Sequence, residues 1–332
     1  MIILLIYGGA SSEHDVSIKS KDYIKQILTS LGYKTKELFI TKDGTYLYQN
    51  KEVSIIPNKG FFVDLKKIEF DVAFPVLHGI NGEDGTIQAL LEIINVPYIS
   101  EGIMTSAIGM NKAIFHDLLK SRFPVIPSKR IKTIDDIDKD KYVIKVSNGG
   151  SSIGVYLVEN KSLIETEAIL KELKKLDDNI IMQPWIEEAR ELELGVIKDA
   201  EKDLEVVLGP VEIKKQSQFF SYDDKYNDLN LKILTRDELI LDKEIILKLR
   251  ELAKDVFNAL EGNMYMRVDF LLSKDGTIYL NEVNTIPGLT RTSHFIVLAK
   301  EIGFDNLFEL LINNALITYK RKNHGKSPIL SC

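Results

Sequence analysis

The chain has 332 residues, 45% hydrophobic and 28% charged, with a formal net charge of −6 and a pI near 5.6. That length favours two or three domains over one core, and the acidic balance argues against a duplex nucleic-acid binder, whose footprint is basic. Cysteine occurs only as Cys332, so no disulfide framework or cysteine-based metal site can form within the chain. The opening run "MIILLIYGG" has no basic region before it and no cleavage-like site after it, so it reads as a first strand and not as a signal peptide. No run approaches the ~20 apolar residues of a membrane span. The expectation is a cytoplasmic protein with neither membrane nor nucleic acid as partner.

Residues 2–7 form a buried-strand pattern ended by Gly8 and Gly9. "DVSIKSKDYIKQILTSLG" then spaces its apolar residues as a helix does, and "KTKELFI" reads as a second strand. With "FDVAFPVLHG" and "GTIQALLEIINVPYIS" this order indicates an open α/β sheet over residues 1–100. Function in such sheets gathers on loops at the strand carboxyl ends, here "GGASSEHD" and "HGINGEDG". An α+β unit follows over 101–187: one helix in "SAIGMNKAIFHDLLKS", strands "VIPSKRI" and "KYVIKVS", a glycine-rich loop "NGGSSIGVYLV", an amphipathic helix and the strand "NIIMQPWI". Residues 188–320 hold "RELELGVIKD", "LEVVLGPVEI", a polar aromatic stretch over 214–229, a helix from about 242 to 260, a hairpin and the helix "SHFIVLAKEIG". The end, 321–332, reads as a flexible tail.

The hairpin "MYMRVDFLLS–KDG–TIYLNEVNT" carries the first chemistry. With its turn around Lys274–Gly276, Asp269 falls nearly opposite Glu282. Residues two apart share a face, so Arg267 and Asp269 converge with Glu282 and Asn284, and Asn281 points the other way. Two close carboxylates repel unless a proton or cation lies between them. Two carboxylates and an amide oxygen suit Mg²⁺ or Mn²⁺ carrying a nucleotide phosphate. The plainer alternative pairs Arg267 with Asp269 or Glu282 and leaves the asparagines to make turns. Four polar groups on one face of an apolar hairpin favour the metal.

A nucleotide needs phosphate ligands elsewhere. "KVSNGGSSIGV" offers Lys145 at a strand end and a loop whose glycines let backbone N–H groups approach an anion. It is neither a Walker A loop nor a G-x-G-x-x-G fingerprint. Lys112, on a helix, would ordinarily be solvated.

Taken in order, "GGASSEHDVSIKS", "HGINGEDGTIQALLE", "YISEGIMTSAIGMNK", "KVSNGGSSIGV", "RELELGV", "FFSYDDKY", "RVDFLL" and "NEVNTIPGLT" resemble the D-alanine–D-alanine ligases of the ATP-grasp superfamily, from about residue 5 to 310. The resemblance implies an ATP-grasp fold: an N-terminal open α/β domain, with nucleotide sandwiched between central and C-terminal domains. It implies ATP-dependent ligation of two D-alanines through an acyl phosphate, for peptidoglycan precursors, with two Mg²⁺ or Mn²⁺ ions per site and a homodimer formed through the first domain.

By the same resemblance Glu282 matches the carboxylate bridging both ions, with Asp269 and Asn284 as the remaining ligands. Lys112 and Lys145 match the lysines on the ATP phosphates, and Ser151, Ser152 and Lys225 join them around the nucleotide. Glu191 matches the acid on the ribose, and Gln183, Trp185 and Ile186 lie by the adenine. Glu13 matches the carboxylate that receives the first ammonium, linked to the hydroxyls of Ser151 and Tyr226. His78 lies near the first substrate, although a strand-end histidine bonded to backbone is its bland alternative. Arg267 and the Gly288 backbone match the oxyanion groups, and Ser293 the serine on the second substrate's carboxylate, with His294 beside it as a further substrate-binding residue. The stretch over 214–229 reads as a lid, with Tyr226 after Lys225 as in dipeptide-forming members.

Departures are few. His294 and Phe295 stand where the family commonly has Met-Tyr or Leu, Asn111 replaces an aspartate, Ser100 a glycine and Gln183 a glutamate. Other acceptors, such as D-serine, D-lactate or another amino acid, therefore remain alternatives. A regulatory nucleotide binder without catalysis is disfavoured by the intact ligand set.

Overall fold

The apolar run Ile2–Gly8 (β1) is flanked by strands on both sides, which is why its residues alternate between two buried faces. Helix α1 (His14–Ser30) carries the chain to Lys34–Ile40 (β2), followed by Tyr46–Tyr48 (β3) and Lys51–Glu52 (β4). A small antiparallel sheet of Ser54–Ile56 (β5), Gly60–Val63 (β6) and Lys66–Lys67 (β7) intervenes before Val72–Pro75 (β8). The order is β4-β3-β2-β1-β8, with β1 parallel to both β2 and β8. The open α/β sheet expected for this part is thus present. The crevice beyond the carboxyl ends of β1 and β8 is its switch point. Gly8 begins the turn there at φ +94°, and a Cβ on it would lie 2.2 Å from the Ile40 carbonyl oxygen. Helix α2 (Thr86–Ile93) closes this unit.

The computed structural model describes residues 1–137, 141–150, 153–159, 162–215, 231–235 and 237–324. Ser151, Ser152, Lys225, Tyr226, all but the start of the expected lid and the last residues of the tail lie outside them.

The single helix expected over 106–121 is two: α3 (Ile103–Met110) and α4 (Lys112–Leu119). Asn111 breaks it at φ −88°, ψ 96° and caps α4, its side chain accepting from the Ile114 N–H at 3.0 Å. Strands Lys129–Ile131 (β9), Lys141–Val146 (β10), Val155–Glu159 (β11) and Ile180–Pro184 (β12) form an antiparallel sheet ordered β11-β10-β12-β9. Helix α5 (Leu163–Leu173) packs its Leu170 and Leu173 with Ile144, Val146 and Met182 of that sheet.

The last sheet is antiparallel, ordered β15-β14-β13-β16-β17, from Arg190–Asp199 (β13), Leu204–Lys215 (β14), Leu231–Leu234 (β15), Tyr265–Leu272 (β16) and Ile278–Asn284 (β17). One face packs on α6 (Lys243–Ala259) and on Phe115 and Leu119 of α4. Against the other face of β13 and β14 packs α7 (His294–Glu301), whose Phe295, with Phe308 and Leu311 of α8 (Leu307–His324), shares one core with Ile3, Leu5 and Phe74 of the first sheet. The segment read as a tail from 321 therefore begins as the end of α8.

The hairpin holds a detail that alternation alone missed. Leu272 pairs with Ile278 and Phe270 with Leu280, but Asp269 pairs with Glu282. Asn281 is the extra residue of a β-bulge, a position that simple alternation does not provide for. Ile278, Leu280 and Val283 all reach the core beneath the sheet, together with Met266, Val268 and Phe270. The inserted residue flips the phase, so Glu282 and Asn284 join Arg267 and Asp269 on the other face.

Glu101, at the junction before α3, is fully buried and accepts the N–H groups of Asn263 at 2.8 Å and Met264 at 3.1 Å, just ahead of β16. Burial raises its carboxyl to about 7 from 4.5. A group that holds its proton more tightly when folded stabilises fully below its unfolded pKa and loses that contribution as pH rises through the folded one. Wild type should therefore lose on the order of 3 kcal/mol, relative to Glu101→Gln, between pH 4.5 and 8. Urea unfolding of both proteins across that range reads the difference directly; parallel curves would refute it.

Candidate active site

Three segments distant in sequence meet at Glu13. It stands immediately before α1, nearly buried, and a Cβ placed on either Gly79 or Gly150 would lie 3.2 Å from its Oε2. The two loops expected at the strand ends are thus brought against the glycine-rich loop after β10. A side chain at Gly150 would crowd that carboxylate. Glu83, absent from the expected residues, lies close enough to Glu13 for the two carboxylates to interact. Burial first, and Glu13 second, raise its carboxyl. It accepts the Gly79 N–H at 2.9 Å and the Ile286 N–H at 3.0 Å.

His78 is buried with both ring nitrogens engaged: Nδ1 lies 3.0 Å from the Ile286 carbonyl and Nε2 3.3 Å from Ser20 Oγ. Its Nδ1 thus has a backbone partner. His78 and Glu83 together grip Ile286 by its C=O and N–H, which fixes the segment leading to Gly288. A Cβ on Gly288 would lie 2.9 Å from Ser293 Oγ, so those two expected groups are adjacent. Ser293 Oγ also accepts the Thr290 N–H at 2.9 Å.

The lysines come together because α4 is tied to the end of β10. Ser147, directly after that strand, accepts the Lys112 N–H at its carbonyl (3.0 Å) and the Ala113 N–H at its hydroxyl (3.1 Å), and donates to Asn111 Oδ1 at 2.8 Å. Lys112 is not solvated but 8% exposed, with Nζ 2.5 Å from the Gly149 carbonyl and 3.2 Å from Glu282 Oε2. Lys145 is buried too. Burial pulls it down to about 8, against Glu282, with Lys112 adding to the fall and Glu191 opposing it. Two buried ammonium groups close together are costly unless anions join them, which is what a phosphate site requires. Asn111→Ala should cost about 1 kcal/mol as a lost cap, read as a lower urea midpoint, and weaken nucleotide affinity by freeing Lys112.

On the sheet face above, Arg267 binds Asp269 through two hydrogen bonds of 2.8 and 2.7 Å and approaches Glu193 Oε2 at 3.2 Å. Burial works against its charge, but Asp269 and Glu193 outweigh it and hold the guanidinium protonated. Burial also raises Asp269; Arg267 opposes the rise, while Glu193 and Glu282 add to it. Asn284 donates to Asp269 Oδ2 at 3.0 Å, leaving its carbonyl oxygen for a ligand. The Arg267–Asp269 pair of the plainer alternative thus exists, whereas Glu282 pairs with Lys112.

Among the described residues, no three His, Cys, Asp or Glu side chains are gathered to hold an ion. Two carboxylates and an amide do stand side by side. Such a hard-oxygen set leaves most of an octahedral shell to water and phosphate, so the residues fit Mg²⁺ or Mn²⁺.

Gln183, buried on β12, donates to His116 Nδ1 at 3.0 Å and Ser128 Oγ at 2.9 Å, while His116 Nε2 lies 2.8 Å from the Asn281 carbonyl. Burial and then Lys145 hold His116 down at about 4, hence neutral. A neutral imidazole donating from Nε2 can accept at Nδ1 from the Gln183 amide, or from the Ser128 hydroxyl that also contacts it, whereas a carboxylate at 183 could not donate. Trp185, Ile186 and Glu191 follow, each half-buried. Glu193, two residues from Glu191 and on the same face, was legible in "RELEL" yet passed over. His116, four residues after Lys112, was equally legible.

Residues 2–101 match the family model described as D-ala D-ala ligase N-terminus, and 104–317 that described as D-ala D-ala ligase C-terminus. The chain belongs to the D-alanine–D-alanine ligase family. It is therefore an ATP-dependent ligase that forms a C–N bond, built on the ATP-grasp fold expected from its motifs. Two relatives named D-alanine–D-alanine ligase are the protein of Enterococcus faecalis, 33% identical over 96% of this chain and 100% of its own, and that of Thermosipho africanus, 34% identical over 98% and 95%. Among solved structures, the VanG D-Ala:D-Ser ligase of Enterococcus faecalis matches with a TM-score of 0.82, 28% identity and coverage of 95% and 99%. D-alanyl-alanine synthetase A of Vibrio cholerae matches with 0.83, 26%, and 95% and 98%. No helix among the described residues is long and apolar enough to cross a membrane.

Proposed function

We propose that this ligase joins two D-alanines into D-alanyl-D-alanine through an acyl phosphate, for peptidoglycan precursor synthesis. One observation carries the reading: Lys112 and Lys145 converge with Glu282, Asp269 and Asn284 on a crevice that Glu13 reaches from the first sheet.

Glu13 receives the first D-alanine's ammonium and so aims its carboxylate at the γ-phosphate. Lys112 and Lys145 neutralise the phosphates that would repel that carboxylate, the main requirement of phosphoryl transfer. Asp269, Glu282 and Asn284 would hold two Mg²⁺ or Mn²⁺ ions, which supply further charge neutralisation. Glu191 takes the ribose, with Gln183, Trp185 and Ile186 around the adenine. The amine of the second D-alanine, its carboxylate on Ser293, then attacks the acyl carbon, and Arg267 with the Gly288 N–H stabilises the oxyanion. Ser151, Ser152, Lys225 and Tyr226 complete this reading by family resemblance, as does the lid over 214–229, which would shield the acyl phosphate from water. A homodimer is part of the same reading and is checked by sedimentation.

Incubation with ATP, Mg²⁺ and D-alanine against a panel of D-alanine, D-serine and D-lactate tests the proposal. Absence of D-alanyl-D-alanine above background would sink it. Likeness to a D-Ala:D-Ser ligase, together with His294 beside Ser293, makes D-serine the second reading.

A further inference from the structure

Neither Glu193 nor His294 takes part in the steps described above, yet one carboxylate oxygen joins them to the oxyanion group. Glu193 Oε2 stands 2.7 Å from His294 Nδ1 and 3.2 Å from Arg267 Nε. Both acidic and imidazole side chains are nearly buried, with 10% and 17% of their surface exposed. His294 opens α7 directly after Ser293. Its neighbour Phe295 is fully buried against Tyr265, at 5.4 Å between ring centroids, so that departure from the family is packing. His294 is different: its ring turns to a charged partner.

In the neutral ring, a carboxylate at Nδ1 makes that nitrogen the donor and leaves Nε2 with its lone pair. We propose that His294, held in this tautomer by Glu193, is the proton acceptor for the second substrate's ammonium. This rests on the ligase reading above. An amino acid arrives at neutral pH as an ammonium, with no lone pair to attack. One N–H proton passes to Nε2, and the freed pair forms the C–N bond at the acyl carbon. The oxyanion beside Arg267 collapses and breaks the C–O bond to phosphate, which departs with the electron pair and the second amine proton. Glu193 meanwhile compensates the imidazolium, which returns its proton to water. Glu193 is here a positioning residue, holding His294 and Arg267 at one oxygen.

The test uses the full-length protein with ATP, Mg²⁺ and D-alanine as donor, and two nucleophiles. D-Alanine must be deprotonated; hydroxylamine is largely uncharged at neutral pH and traps the acyl phosphate as a hydroxamate without help. The variants are His294→Leu, a residue the family itself carries there, and His294→Asn, whose amide can still donate to Glu193. In both, the ratio of dipeptide to hydroxamate rate should fall about 10²-fold, the usual size of a general-base effect. An unchanged ratio in either variant overturns the assignment, including the case where both rates fall together. If wild type forms neither product, the ligase reading itself fails.

Discussion

Glu282→Ala is expected to lower D-alanine-dependent ADP release by about 10³-fold or more, equivalent to roughly 4 kcal/mol of lost charge stabilisation. Glu282 sits between the two sets of charges. It neighbours Asp269 across the hairpin and contacts Lys112 on the far side of the crevice. Its removal takes away the proposed bridging ligand and leaves two buried lysines with one fewer anion. The fold should survive, because a quarter of the side chain is exposed and its hairpin pairing is backbone. A coupled ADP assay at several Mg²⁺ concentrations decides the matter. Activity within tenfold of wild type at saturating Mg²⁺ would contradict the metal assignment.

Arg267→Leu should be damaging in a different way, to stability as well as to turnover. The guanidinium is the common partner of two buried carboxylates, Asp269 and Glu193. Breaking such a pair from one side leaves uncompensated buried charge and costs about 3–5 kcal/mol. Arg267→Lys keeps the charge but cannot reproduce the paired hydrogen bonds to Asp269, and should recover only part of the stability. Adding Asp269→Asn to Arg267→Leu should restore stability further and activity not at all. Urea midpoints and product formation measured on the three variants separate the two effects. Equal midpoints for wild type and Arg267→Leu would show that the pair carries no stability.

Much of this site was legible because it is local. Strand alternation in "RVDFLL" and "NEVNT" placed Arg267, Asp269, Glu282 and Asn284 on one face, and the loops at the strand ends were marked by glycines. What escaped depends on neighbours distant in the chain. Lys112 reads as a surface lysine until Ser147 fixes the start of α4. Gln183 looks like a lost acid until His116 is set beside it. Glu193 looks like half of a solvated "ELEL" pattern until β16 brings Arg267 alongside and α7 brings His294. The break at Asn111 is a case of a capping side chain overriding helical periodicity, since the apolar spacing runs through it uninterrupted. His78 has the backbone partner that a strand-end histidine would be expected to find, the Ile286 carbonyl.

The extra residue in β17 has a consequence for how this hairpin can vary. Which side of the sheet Glu282 and Asn284 occupy depends on parity, on how many residues separate them from the turn, and hardly on which residues those are. Asn281 offers the neighbouring helix only a carbonyl oxygen, which every amino acid possesses. Its identity can therefore drift while its presence cannot. Losing it would turn both side chains into the apolar core and bring Val283 up into the crevice, a change of chemistry with no change in any polar side chain.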